Sequence, residues 1–163
     1  MPKVIKKNNQ KMISLPKLNF PAIKLRAQER NGVTMVYDSV RNMYLVLTPE
    51  EWVRRHLVEY LLAHCKVPLR SVVEEYPVEL NNMAQRADVV VVDGQARPFI
   101  LAECKAPDIK ITQQTILQAT RYNAVLGARY IILTNGITHF CYEKTESGYK
   151  QSASFPMFDL ESV

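Results

Sequence analysis

The sequence predicts an α/β domain in which a central mixed β-sheet is flanked by helices, in αβββαβ order, with a β-hairpin ahead of the first helix. Three observations carry this. Two segments, near residues 49–65 and 112–126, space their apolar residues at the helical interval. Runs rich in Val, Ile, Leu and Phe lie between and after them, each closed by turn residues. The chain has 163 residues, 47% hydrophobic and 23% charged, which suits one domain with one core.

Residues 1–12 carry Lys3, Lys6, Lys7 and Lys11 among Asn and Gln and read as a flexible basic arm, a solvated tail rather than a DNA-contacting one. Residues 13–163 read as a single domain with its core at about 33–145. Residues 13–32, with Pro16 and Pro21, look irregular. Val33–Tyr37 and Met43–Leu47 are β-rich runs separated by Asp38, Ser39 and Asn42, the pattern of a hairpin. Thr48-Pro49-Glu50-Glu51 then opens a helix: Thr48 suits the N-cap, Pro49 the first turn, and Glu51 the third position of a capping box. That helix runs to about Cys65, with Trp52, Val53, Leu57, Tyr60 and Leu61 as its buried stripe.

Val72–Leu80 reads as a strand, and Pro77 within it points to an edge or a bulge. Arg86–Val92 is a second strand whose Val89–Val92 run implies burial on both faces. Asp93-Gly94 is a turn, and Phe99–Lys105 a third strand, closed by Ala106-Pro107-Asp108. In the second helix Ile116, Ala119, Asn123 and Leu126 lie near one side. Arg129–Leu133 and Ile137–Tyr142 flank Asn135-Gly136, a strong hairpin signal. The tail after Gly148 fits either strand or coil.

Several function classes are excluded. No run reaches the ~18 apolar residues of a membrane span, and the Lys-rich N-terminus has no apolar signal core. A cytoplasmic protein is expected. Cys65, Cys104 and Cys141 are odd in number and widely spaced, which fits reduced, partly buried thiols and neither a disulfide framework nor a zinc site. The five glycines are too scattered for a phosphate-binding loop. His56, His64 and His139 show no metal spacing, and no Ser-His-Asp or Cys-His arrangement is suggested. The net charge of +5 is compatible with a polyanionic partner without requiring one.

Three charged residues are out of place for a plain core. Asp88 begins the apolar run to Val92, and Glu103 and Lys105 end the run from Phe99. Strand side chains alternate, so Glu103 and Lys105 share a face, and Asp88 shares one with Val90 and Val92. If the two strands pair around Asp93-Gly94, two carboxylates and an ammonium converge at the end of a sheet. Such groups are costly to bury unless they are paired or bind a metal. Hard oxygen donors suit Mg²⁺ or Mn²⁺, which polarises a phosphodiester and acidifies water, while Lys105 orients that water or neutralises developing charge. The competing reading is a solvated Glu103–Lys105 ion pair worth ~1 kcal/mol or less.

The spacing of Asp88 from Glu103-x-Lys105 resembles the PD-(D/E)XK nuclease signature, with Arg86-Ala87-Asp88 in place of its Pro-Asp. Gln118-Ala119-Thr120-Arg121-Tyr122 resembles the Gln-x-x-x-Tyr motif of the RecB-like branch, its Gln and Tyr one helical turn apart. Four stretches together look like the N-terminal nuclease domain of type I restriction enzyme R (HsdR) subunits: Leu47–Arg54, Ala102–Pro107, Gln118–Asn123 and Thr134-Asn135-Gly136. The likeness spans about residues 33–145.

That resemblance implies a restriction-endonuclease-like core and a Mg²⁺- or Mn²⁺-dependent DNA endonuclease of a restriction system. Asp88 and Glu103 are then metal ligands with the backbone carbonyl of Cys104, and Lys105 is the catalytic lysine. Gln118 and Tyr122 position the lysine, the scissile phosphate or the strand backbone. Glu51 is the helix carboxylate that borders such sites, although the capping box explains it equally well. Arg54 and Arg121 are candidate phosphate contacts, with solvated charge as the simpler account for Arg54. The ATP-driven translocase of full R subunits is absent from these residues, so a stand-alone protein or one served by a separate translocase or specificity subunit is expected. The alternative is a catalytically silent module binding nucleic acid or a partner on the same fold. A dimerising structural protein is the third class.

Overall fold

The computed structural model describes residues 3–5 and 13–159. Of the expected basic arm, Lys3–Ile5 form a short strand, β1, paired antiparallel with β2 (Ile13–Leu15); the remainder lies outside the described residues. The expected hairpin is present as β4 (Val33–Asp38) and β5 (Met43–Val46), and β3 (Ala27–Arg30) extends it to a three-stranded antiparallel sheet. β3 escaped prediction because its four residues, Ala-Gln-Glu-Arg, have little strand preference and are mostly exposed.

Helix α1 (Pro49–His64) starts where the cap signal put it. The Thr48 hydroxyl accepts from the Glu51 amide at 3.0 Å. Val53, Leu57, Val58 and Leu61 are fully or almost fully buried against the large sheet. Each contributes roughly 1.5–3 kcal/mol by leaving water.

The large sheet has six strands: β6 (Val72–Leu80), β7 (Met83–Val92), β8 (Pro98–Cys104), β9 (Tyr130–Thr134), β10 (His139–Thr145) and β11 (Gly148–Ser152). They lie in the spatial order β11-β10-β9-β8-β7-β6. Every neighbouring pair is antiparallel except β8–β9, which is parallel and joined by α2 (Gln113–Leu126). A parallel pair needs a crossover, and the helix supplies it while covering one face of the sheet. Helix α1 covers the other face. Val89 and Val91 point to the α1 side and Val90 to the α2 side, so the valine run is buried twice over, as its composition predicts.

β6 is an edge strand, which is where Pro77 is tolerated. β7 begins at Met83, three residues earlier than the β-branched run suggests, because Asn81 and Asn82 both adopt positive φ and close a tight turn directly onto Met83. The Asn135-Gly136 turn joins β9 to β10 as expected. Gly136 has φ +83°, a conformation that favours glycine, and a Cβ there would displace the Leu18 side chain, whose Cδ2 lies 2.7 Å away. The chain after Gly148 begins as strand β11 and is irregular from 153 to 159.

A buried ion network ties the small sheet to α1 and β6. Fully buried Asp38 accepts from Arg55 at 2.7 Å and from Arg41 at 2.8 Å, and both arginines also reach Glu74. Burial alone would raise the Asp38 carboxyl, but the hydrogen bond from Arg41 and the charge of Arg55 outweigh it and leave it below its ordinary value. Its contribution is therefore complete above the usual carboxylate range and lost as pH falls through the lowered folded value. Asp38→Asn is expected to lower the unfolding free energy by about 3 kcal/mol at neutral pH. In urea titrations that difference should shrink below about pH 4; a difference independent of pH would contradict the charge assignment.

Candidate metal centre where two strands part

Pairing of β7 with β8 runs from Val92 down to Val89, which faces Ala102. One step further in the same register Asp88 stands opposite Glu103, and there the ladder ends. On the other side of β7, Val89 faces Glu74 and Ala87 faces Tyr76, so Glu75 stands opposite Asp88. Three carboxylates on three adjacent strands thus form a row across the sheet.

The acids are held by the backbone. Asp88 Oδ2 accepts from the Cys104 amide at 2.7 Å, and the Asp88 amide donates to Glu103 Oε1 at 3.3 Å. The side chain of Asp88 thus takes the place of a ladder bond where the two strands separate. The Lys105 amide donates to Thr134 O at 2.9 Å, which anchors the residue after β8 to β9. The expected convergence of Asp88 and Glu103 is therefore present. The expected face of Asp88 is not a simple alternation: Ala87 and Val90 both pack on the α2 side, and the Asp88 carboxylate runs along the sheet to the end of β8.

Burial, followed by the charge of Asp88 and a hydrogen bond with it, pushes the Glu103 carboxyl far above the carboxylate range, while Lys105 pulls it down. Two acids are close enough to share a proton, and a cation would fill the same role. Burial and then the charge of Asp88 also raise Glu50, opposed by Lys105 and Arg54, with Glu75 adding to the rise. The charge of Lys105 therefore favours ionisation of both Glu50 and Glu103, although among the described residues no ion pair joins it to either. The Cys104 thiol is fully enclosed and pushed up by burial and by Asp88, which leaves it inert.

Glu50, missed from sequence, is the helix carboxylate that faces this site. Glu51 is not: its carboxylate pairs with Arg54, with Arg55 at 3.4 Å and with Arg41 at 3.7 Å. Consecutive helical residues point about 100° apart, so only one of two adjacent glutamates can face the sheet end. Arg54 is buried and pairs with Glu51 and with Glu75 at 2.6 Å, so it braces the site and is not a solvated charge.

Gln118 and Tyr122 do share a helix face, with Gln118 Nε2 3.2 Å from the Tyr122 hydroxyl. That hydroxyl donates to Gln85 Oε1 at 3.5 Å, on β7. Among the described residues no hydrogen bond links Gln118 or Tyr122 to Asp88, Glu103 or Lys105. The pair instead lines an open cleft of about 400 Å³ between α2 and the β6–β7 hairpin, with Leu80, Gln85, Gln114, Leu117 and Arg121. Cys65, Cys104 and Cys141 are free and buried. His56 and His139 sit in an aromatic cluster around Phe20.

The donor set fits a small hard cation. Among the described residues no three His, Cys, Asp or Glu side chains surround one point. Mg²⁺ does not require that, because it is held by one or two carboxylates, with waters and substrate phosphates completing its shell. Asp88 and Glu103, pressed together with their like charge only partly offset by Lys105, are such a pair.

A mixed six-stranded sheet between α1 and α2 makes this a restriction-endonuclease-like α/β fold. Residues 49–156 match the family model of the type I restriction enzyme R protein N terminus (HSDR_N), and the chain belongs to that family. No curated protein matches it. No helix among the described residues is long and apolar enough to cross a membrane.

The two neighbouring glutamates should separate in experiment. Glu51→Ala leaves Arg54 and Arg55 short of a buried partner and is expected to cost about 2–4 kcal/mol in urea unfolding. Glu50→Gln removes a carboxylate that burial already disfavours and should change stability by less than about 1 kcal/mol. The reverse ranking would place Glu51, not Glu50, at the carboxylate row.

Proposed function

We propose that the chain is a divalent-cation-dependent DNA endonuclease domain of a type I restriction system, hydrolysing phosphodiester bonds with Mg²⁺ or Mn²⁺. The observation that supports it is the meeting of Asp88 with Glu103 where β7 and β8 part, with Lys105 and Glu50 alongside. Family membership supports the restriction-system context.

Asp88, Glu103 and the carbonyl of Cys104 would hold the ion, with Glu50 as a further carboxylate at the rim. When bound, such an ion supplies Lewis acidity toward a phosphoryl oxygen and a lower pKa for its water. The chain's own residues do the rest. Asp88 is fixed by the Cys104 amide, so its free oxygen keeps one direction. Lys105, whose charge acts on both Glu50 and Glu103, would orient a water and offset charge developing on the phosphate. Gln118 and Tyr122, with Gln85, position the strand backbone in the cleft beside α2, and exposed Arg121 takes a phosphate. DNA is the substrate. Partners in the restriction system, a translocase and a specificity subunit, would deliver it.

Supercoiled plasmid incubated with Mg²⁺ or Mn²⁺ should be nicked by the wild type. Lys105→Ala should slow nicking by about 10²-fold or more. Equal rates in the two would remove Lys105 from the chemistry. No nicking by either, together with salt-sensitive DNA binding, would favour a silent nucleic-acid-binding module on this fold.

A further inference from the structure

We propose that Glu75 is a positioning residue: its left-handed backbone is the pivot that turns the β6–β7 ribbon over and thereby releases Asp88 toward Glu103. The proposal rests on the metal-site reading above and assigns a role to a residue outside the ligand set.

Glu75 has φ +53° in the middle of strand β6. The other six non-glycine residues of positive φ among those described stand between elements, where turns call for it. A Cβ-bearing residue is disfavoured in this region, and glutamate has no special tolerance of it as Asn has.

Side chains show what the conformation does. On a regular strand Val72, Glu74, Tyr76, Val78 and Leu80 would all share one face. Instead Val72 and Glu74 point to the α1 side, the first into its apolar core and the second onto Arg55. Tyr76, Val78 and Leu80 point to the α2 side. β7 reverses at the same level: Val89 and Val91 face α1, whereas Ala87, two residues before Val89, faces α2. The two-stranded ribbon has rotated half a turn about its own axis between Glu74 and Tyr76 on one strand and between Ala87 and Val89 on the other.

Two consequences follow for Asp88. Beyond the pivot the hairpin leaves β8, whose pairing with β7 stops at Val89, and lays its apolar side on α2. Asp88, at the pivot, belongs to neither face. Without the rotation it would project with Val90 into the apolar layer of Leu101 and Leu133, where a carboxylate has no partner. With it, the carboxylate swings along the sheet to the Cys104 amide, next to Glu103. Buried Arg54 ties the Glu75 carboxylate to α1 at 2.6 Å and so sets the pivot against the same helix that carries Glu50.

Full-length chains carrying Glu75→Gly, Glu75→Asn and Glu75→Val test this, because all three lack the carboxylate and differ in their tolerance of positive φ. Mn²⁺ affinity is read by calorimetry at a temperature where circular dichroism shows each to be folded. Gly and Asn are expected to bind Mn²⁺ at least about tenfold more tightly than Val. Hydrogen exchange at the Gln85–Ala87 amides should be fastest in the Val variant. If Val does not fold, Glu75→Ala against Glu75→Asn carries the same comparison. Equal affinity across the series and the wild type would overturn the pivot while leaving the metal site standing. Gly and Asn as weak as Val, with a tight wild type, would also overturn it and make Glu75 a ligand. A wild type that takes up no Mn²⁺ would defeat the metal-site reading, and the positioning role with it.

Discussion

The hydrogen bond from the Cys104 amide to the Asp88 carboxylate, at 2.7 Å, sits at the one place where two central strands stop pairing and the sheet divides. A backbone amide at such a point needs an acceptor, and a buried amide left without one costs about 1–3 kcal/mol. Asp88 provides the acceptor from its side chain. That solution brings an acid directly against Glu103, which raises the Glu103 carboxyl through burial and like charge. The same contact that completes the hydrogen bonding of β8 therefore creates the electrostatic tension of the site. Lys105 relieves part of it, and on the proposed reading a hard divalent ion would take up what remains.

Helix α1 separates two charge environments one residue apart. Glu50 is turned toward the carboxylate row and Glu51 toward Arg41, Arg54 and Arg55. The arginines are in turn shared with Asp38 on β4 and with Glu74 and Glu75 on β6. Buried ions are worth little as net stabilisation but are severe about geometry, because breaking one pair strands the other charge. The network therefore fixes the angle at which α1 meets β6, and with it the direction of Glu50. Helix placement at the site is decided by ion pairs on its far flank as much as by Val53, Leu57 and Leu61 beneath it.

Sequence periodicity was sufficient for the layers because burial is what creates it. Val89–Val92 had to be covered on both faces, and Ala119 and Asn123 had to face a core. The Glu103-x-Lys105 spacing was legible for the same reason, since two residues apart on a strand means one face. The choice between Glu50 and Glu51 was not, because it turns on how α1 is rotated against the sheet, a property of packing that neither residue type encodes. β3 lacks any apolar period, and the early start of β7 depends on the Asn81-Asn82 turn. Glu75 is the least legible of all. Nothing in a glutamate between Glu74 and Tyr76 signals positive φ, and strict alternation from Val72 to Leu80 predicts one continuous face where the chain presents two.

That reversal places a charged seam between the apolar cores on the two faces of the large sheet. The α1 core takes the sheet-facing residues of β6 and β7 on one side of Glu75 and Asp88, and the α2 core takes the hairpin residues on the other. A seam between cores is where polar groups can be partly buried without being enclosed by apolar walls on every side, and Glu75, Asp88, Glu103 and Lys105 are all of intermediate exposure. Strand β7 links this seam to the cleft beside α2. Gln85, in contact with Tyr122, precedes Asp88 by three residues, about 10 Å along an extended strand. Gln118 and Tyr122 therefore belong to a surface adjoining the acids rather than to the acids themselves.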